Sequence, residues 1–261
     1  MAGTSRNRPR LDFANLPLME ATVRVSFESP APLTFNAINE LHAKLRGDFP
    51  QITEPQNVQI PPGIGKPTIE FGPGQIPGVV YTGNRQGIQI ALQSQLLYVG
   101  WVKQLATDGP EYPRFPALRD TLWHAVDAYH AVSTGVPIIV VNMSYLNFIR
   151  VTGDGVLPKY FSKLVQVAAT QNARQLHKLE VSWQEQNLVD LRFNLEHVRL
   201  NIGAETVDGY SLTTAAGLQV AAPSEPRDAL EDVHDRLQVF FSELISNHAK
   251  SEWKLSEPVD A

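Results

Sequence analysis

The chain has 261 residues, a net charge of −5 and no cysteine. The missing thiols exclude disulfides, thiolate metal sites and cysteine nucleophiles, and they fit a cytoplasmic protein. Apolar residues make up 43% and charged residues 19%, an ordinary globular balance. No apolar run reaches the roughly 18 residues of a membrane helix, and the negative charge argues against a protein that coats nucleic acid.

In chain order, residues 1–12 carry Arg6, Arg8 and Arg10 with no apolar segment behind them, which reads as a disordered arm rather than a leader. Met19, Ala21, Val23, Val25 and Phe27 alternate with polar residues, the period of a strand with one buried face. Thr34 can cap a helix carrying Ala37, Ile38, Leu41 and Leu45, and Gly47 to Pro50 ends it. Residues 51–78 are rich in Pro and Gly and form a long excursion with one short strand at 68–71. Val79 to Tyr81 and Ile88 to Leu92 make a hairpin, and Leu96 to Trp101 continues the sheet. A helix from Phe115 to Val132 shows Leu118, Leu122, Ala125, Val126 and Tyr129 at helical spacing before the stop at Gly135.

Val136 to Val151, apolar on both faces in its first half, reads as a central strand, and 158–164 as a short helix. Leu179, Val181 and Trp183 pair with Val189, Leu191, Phe193 and Leu195 in a hairpin. The apolar phase then flips to Val198, Leu200 and Ile202, which predicts a β-bulge at Glu196-His197. A strand near 212–220 and a closing helix over 226–248, with Leu230, Val233, Leu237, Phe240 and Leu244, complete the chain.

Two stretches echo each other. Leu16-Pro17-Leu18 and Val136-Pro137-Ile138 each open a strand, and Arg119-Asp120-Thr121-Leu122 and Arg227-Asp228-Ala229-Leu230 each lie in a closing helix with a proline near its start. The expected fold is α+β: two similar β-α-β-β-β-α halves, 13–134 and 135–253, with antiparallel sheets on amphipathic helices and a flexible tail at 254–261.

The chemical motifs are mostly negative. Gly63-Ile64-Gly65-Lys66 lacks the phosphate-loop spacing, and Gly72-Pro73-Gly74 lacks the third glycine and the helix of a dinucleotide site. No histidine pair has helical metal-site spacing, so neither a metal nor a cofactor is expected. Asn142-Met143-Ser144 matches a glycosylation sequon but sits in an apolar strand. Trp101, Trp123, Trp183 and Trp253 fall on core or end-anchor positions. The candidate binding residues are Tyr145, Asn147, Arg150 and His124, with Asp127 added if a catalytic site forms between the halves.

The opening Asn15-Leu16-Pro17-Leu18-Met19-Glu20-Ala21, the mid-chain Tyr145-Leu146-Asn147-Phe148-Ile149 and the closing Val233-His234-Asp235-Arg236-Leu237 through Phe241 and Trp253 carry a family likeness. Over roughly residues 15–253 the chain resembles a sporadically distributed bacterial family of uncharacterised proteins. That family has a Pro-apolar-x-Glu opening strand, a Tyr-x-Asn-x-Ile central strand and a Leu-His…Phe…Trp closing helix. Ser144 stands where that family has Arg. The resemblance implies no activity, and its patchy distribution implies mobile genes of the phage-defence or toxin–antitoxin kind. The expectation is therefore a non-enzymatic interaction or assembly subunit with a protein partner or a second copy of itself, reaching nucleic acid through a partner and not embedded in a membrane. The alternatives are a nucleic-acid-binding accessory protein using the arm with Lys103, Arg85 and Arg114, or an enzyme with a site between the halves.

Overall fold

Alternation along β2 (Leu18–Phe27) sets the centre of the molecule, with Ala21, Val23, Val25 and Phe27 buried on one face. A computed structural model describes residues 12–13, 16–29, 34–53, 78–83, 87–93, 95–103, 111–133, 135–150, 156–163, 165, 177–184, 189–202, 205–221 and 225–256. The expected strand at 68–71, the turn at 185–187 that joins the two strands of the second expected hairpin, Arg85 and the arginines of the arm lie outside these residues.

Around β2 the other strands are β3 (Gln51–Thr53), β4 (Gly78–Thr82), β5 (Ile88–Gln93), β6 (Leu96–Val102), β7 (Ile138–Arg150), β8 (Lys178–Gln184), β9 (Val189–Ile202) and β10 (Glu205–Gln219). They form a nine-stranded antiparallel sheet in the order β3-β4-β5-β6-β2-β7-β10-β9-β8. β2 and β7 lie side by side at its middle, with register shifts between Leu18 and Glu20 and between Ser26 and Phe27. β1 (Asp12–Phe13) pairs with β11 (Leu255–Ser256), so Asp12 of the expected arm meets the expected tail.

One rung crosses eight strands on a single face: Tyr81, Ile90, Val99, Val23, Met143, Ala216, Leu191 and Trp183. All are buried except Trp183 on the edge strand. Helices α1 (Phe35–Leu45), α2 (Arg114–His130) and α4 (Pro226–Leu244) cover this face. Thr34 caps α1 as expected, its side chain accepting from the Ala37 backbone at 3.2 Å. α2 packs on β2, β5 and β6, where Tyr129 meets Phe27 at 4.7 Å between ring centroids, and α4 packs on β7, β9 and β10. Both helices bury the leucine of their Arg-Asp-x-Leu motif, Leu122 and Leu230. Among the described residues no helix is long and apolar enough to cross a membrane.

The structure corrects three readings. No register shift occurs at Glu196-His197, since β9 pairs with both β8 and β10 in unbroken register. The phase flips because the end of the β9–β10 hairpin buries its other face, where Val207 lies opposite Leu200 and the Phe148 ring lies over Gly209. The strand expected near 212–220 begins at Glu205. The closing helix stops at Leu244, because Ile245 turns extended to bridge Phe161 of the segment after α3 (Val156–Tyr160). Ser246 then caps a separate α5 (Asn247–Glu252) by accepting from the Ala249 backbone at 3.1 Å. Trp253 closes this corner, stacked on Tyr160 and Phe241.

Leu230 has no exposed surface, so Leu230→Ala should destabilise the fold by about 2–5 kcal/mol in urea unfolding. A cost well under 1 kcal/mol, on the scale of a surface substitution, would mean that α4 does not pack on the sheet as described.

Candidate functional site

The two faces of the sheet bury different chemistry. On the helix-covered face, α2 and α4 run antiparallel to each other, as three cross-contacts of descending register establish. Phe115 stacks on His234 at 3.7 Å, Arg119 Nη1 donates to Glu231 Oε1 at 2.7 Å, and Arg227 lies 5.0 Å from the Trp123 ring centroid while bonding Asp127 at 3.1 Å. Beneath this seam one rung of the sheet presents Trp101, Ala21, Tyr145 and Thr214. Tyr112, just ahead of α2, packs against Trp101 and donates from its hydroxyl to that of Tyr145 at 3.5 Å. Trp101 Nε1, Asn147 Oδ1 and Thr214 Oγ1 are buried here without a hydrogen-bond partner.

Of the residues singled out from sequence, Tyr145 and Asn147 thus lie on the same face beneath the seam. His124 is exposed on the outer side of α2, and Arg150 is exposed at the end of β7 on a position of the opposite sheet face. Asp127 is exposed and paired with Arg227. Lys103 and Arg114 are exposed at the end of β6 and the start of α2. The structure does not bring these groups into one cluster. Among the described residues no three His, Asp or Glu side chains are grouped to hold a metal ion.

The face away from the helices carries a site that sequence reasoning missed. Its central rungs run Ala91, Tyr98, Arg24, Asn142, Gly217 and Asp190, then Gln89, Gly100, Thr22, Ser144, Ala215 and Arg192. A polar sheet face is ordinarily wet, yet Thr22, Arg24, Asn142 and Ser144 are only 6–8% exposed. Arg24 Nε is buried without a hydrogen-bond partner, and neither Arg24 nor the half-buried Arg192 forms an ion pair or hydrogen bond with a described residue. Burial, and then the like charge of Arg192, hold the Arg24 guanidinium below its ordinary value. It remains charged at neutral pH all the same. An unpaired buried charge costs several kcal/mol, so this placement works against stability.

Floor residues explain how two arginines three strands apart can sense each other. Roughly 14 Å of sheet separates β2 from β9, and Gly217, Ala215 and Ser144 leave that width low. The Asn142 amide lies across Gly217, where an added Cβ would come within 2.8 Å of its nitrogen. Glu20 flanks the arginines on the same face, its carboxyl accepting from the Thr22 hydroxyl at 3.0 Å. Burial raises the Glu20 pKa from 4.5, with the Thr22 bond offsetting part of the rise. The Tyr98 phenol is pushed far above its ordinary range by burial and by the charge of Glu20. Arg24 looked from sequence like one solvated residue of an alternating strand; the available signal was a second alternating series, Asp190, Arg192, Asn194 and Glu196, on another long strand.

No family model matches this chain, and neither a curated protein nor a solved structure matches it.

A carboxyl whose folded pKa is raised binds more protons folded than unfolded, so its contribution favours the fold below pH 4.5 and is lost as pH rises through the folded value. Glu20→Gln should therefore raise the melting temperature at pH 7 and leave it nearly unchanged near pH 4. A variant less stable than wild type at pH 7 would contradict the burial of Glu20. Thr214 is completely buried with an unpartnered hydroxyl. Thr214→Val should gain about 1 kcal/mol in denaturant unfolding, whereas a loss of that size would reveal a hydrogen bond that the hydroxyl makes.

Proposed function

We propose that this chain is a non-enzymatic interaction or assembly subunit, built from two similar β-α-β-β-β-α halves, that receives an extended segment of a partner protein along β8. The single observation that carries the reading is the edge of the sheet. β8 pairs with β9 over seven residues without a bulge and has no described strand on its outer side. The His197 backbone donates to the His177 carbonyl at 2.9 Å, so in antiparallel alternation the backbone groups of Glu180 and Ser182 point outward. A long unbroken edge of this kind is a template for strand addition. Beside it Trp183, 37% exposed and packed edge-on against Phe240 at 5.1 Å, offers an apolar anchor next to the exposed Val239 of α4. The opposite edge, β3, is only three residues long.

The duplication has its own support. The sheet order reads β3-β4-β5-β6-β2 on one side and β7-β10-β9-β8 on the other, so each half runs from a central strand through a helix and outer strands to a long helix, with the short β3 added at the edge of the first. The motif arginines also cross the seam alike. Arg119 reaches Glu231, four positions after Arg227, and Arg227 reaches Trp123, four positions after Arg119. On the resemblance read from the sequence, we assign such a subunit to a mobile bacterial system of the phage-defence or toxin–antitoxin type.

The test is co-expression of the tagged chain with the products of its neighbouring genes. A stable complex should form, and Ser182→Pro, which removes an outward N–H and leaves the β9 ladder intact, should weaken it at least roughly tenfold. A monomer that binds none of these products, or a complex indifferent to Ser182→Pro, would overturn the reading.

A further inference from the structure

We propose that the sheet face away from the helices is a binding site for a small phosphorylated ligand, gripped between Arg24 of β2 and Arg192 of β9. The site is separate from the β8 edge and does not depend on strand addition there. Its first support is the charge arrangement. Arg24 is 7% exposed, has a buried Nε with no hydrogen-bond partner, and shares the face with a second arginine. The described acids on that face do not neutralise the pair: Glu20 bonds Thr22, Glu180 pairs with Lys178, and neither Asp190 nor Glu196 forms an ion pair with either arginine. A buried charge at the centre of a sheet with a half-buried like charge on the same face is stabilised by an anion that accepts from both.

Shape is the second support. Gly100, Ala91, Ala215 and Gly217 form a floor of minimal side chains around the arginines, and a Cβ at Gly100 would stand 3.6 Å from the nearest atom, the Thr22 hydroxyl oxygen. The Asn142 amide and the Ser144 hydroxyl rise from that floor between Arg24 and Arg192. The face therefore offers two guanidinium forks, an amide and a hydroxyl around one centre. Arginine forks match phosphate oxygens bidentately, and a tetrahedral phosphate presents oxygens in several directions to these donors at once, whereas a carboxylate offers only two oxygens in one plane.

Thermal unfolding of the full chain at pH 7 tests this, with inorganic phosphate, a nucleoside 5′-monophosphate and acetate as probes, each against chloride at equal ionic strength. Phosphate or the monophosphate should raise the melting temperature in proportion to the logarithm of its concentration. A response to inorganic phosphate alone assigns the free anion; a stronger response to the monophosphate assigns the ester. Arg24→Met should fold with a melting temperature equal to or above that of wild type, because it removes a buried charge, yet lose the response. Arg192→Gln, at a half-buried position on another strand, should weaken the affinity at least roughly tenfold. Absence of a wild-type response to both phosphate probes, an equal response to acetate, a response that survives in Arg24→Met, or an undiminished affinity in Arg192→Gln would overturn the proposal.

Discussion

The antiparallel pairing of β2 with β7 is the constraint on which the rest of the structure depends. It places a strand from near the start of the sequence beside one from its middle at the centre of one sheet, and the other strands spread outward on either side. One rung of apolar side chains can then cross from Tyr81 to Leu191 without a break, and α2 and α4 lie side by side over it. Slipping β2 by one residue against β7 would turn Val23 to the other face and bring Arg24 under the helices. The apolar rung and the arginine face are two consequences of one register.

The same register explains why the second face is chemically unusual. A strand at the edge could leave a residue such as Arg24 in water. At the centre, flanked by Tyr98 on β6 and Asn142 on β7, its guanidinium is withdrawn from solvent and no described carboxylate pairs with it. Raised proton affinity at Glu20 and depressed affinity at Arg24 have burial as their main cause, acting on charges of opposite sign. Folding does not need these groups; an apolar pair would pack there at lower cost.

The seam between α2 and α4 has a different character. Its polar contacts, Arg119–Glu231 and Arg227–Asp127, sit at the outer surface, where ion pairs of this exposure are worth about 0.2–1 kcal/mol. Beneath them the aromatic residues Trp101, Tyr112 and Tyr145 pack together, and the unpartnered atoms of Asn147 and Thr214 are closed in by the helices above. The echoed Arg-Asp-x-Leu motif serves packing across this seam, its leucine facing the sheet and its arginine reaching the neighbouring helix.

Periodicity by itself determined much of this protein: an α+β composition, the strand at Met19 to Phe27, the hairpins, the two long helices and their buried leucines. Each follows from local rules, since alternation, capping and helical spacing are properties of neighbours in sequence. The phase flip at Glu196-His197 was legible but ambiguous, because a bulge and a change of buried face leave the same trace in one strand. The break at Ile245 was invisible, because its cause is a bridge to Phe161, more than eighty positions away. Which polar residues matter was decided only by the tertiary structure. Tyr145 and Asn147 stand out in the sequence and lie beneath packed helices, whereas Arg24 reads as an ordinary solvated position. Strand order alone carries Arg24 to the buried centre of the sheet and faces it toward Arg192, and strand order is set by contacts between segments that the sequence holds far apart.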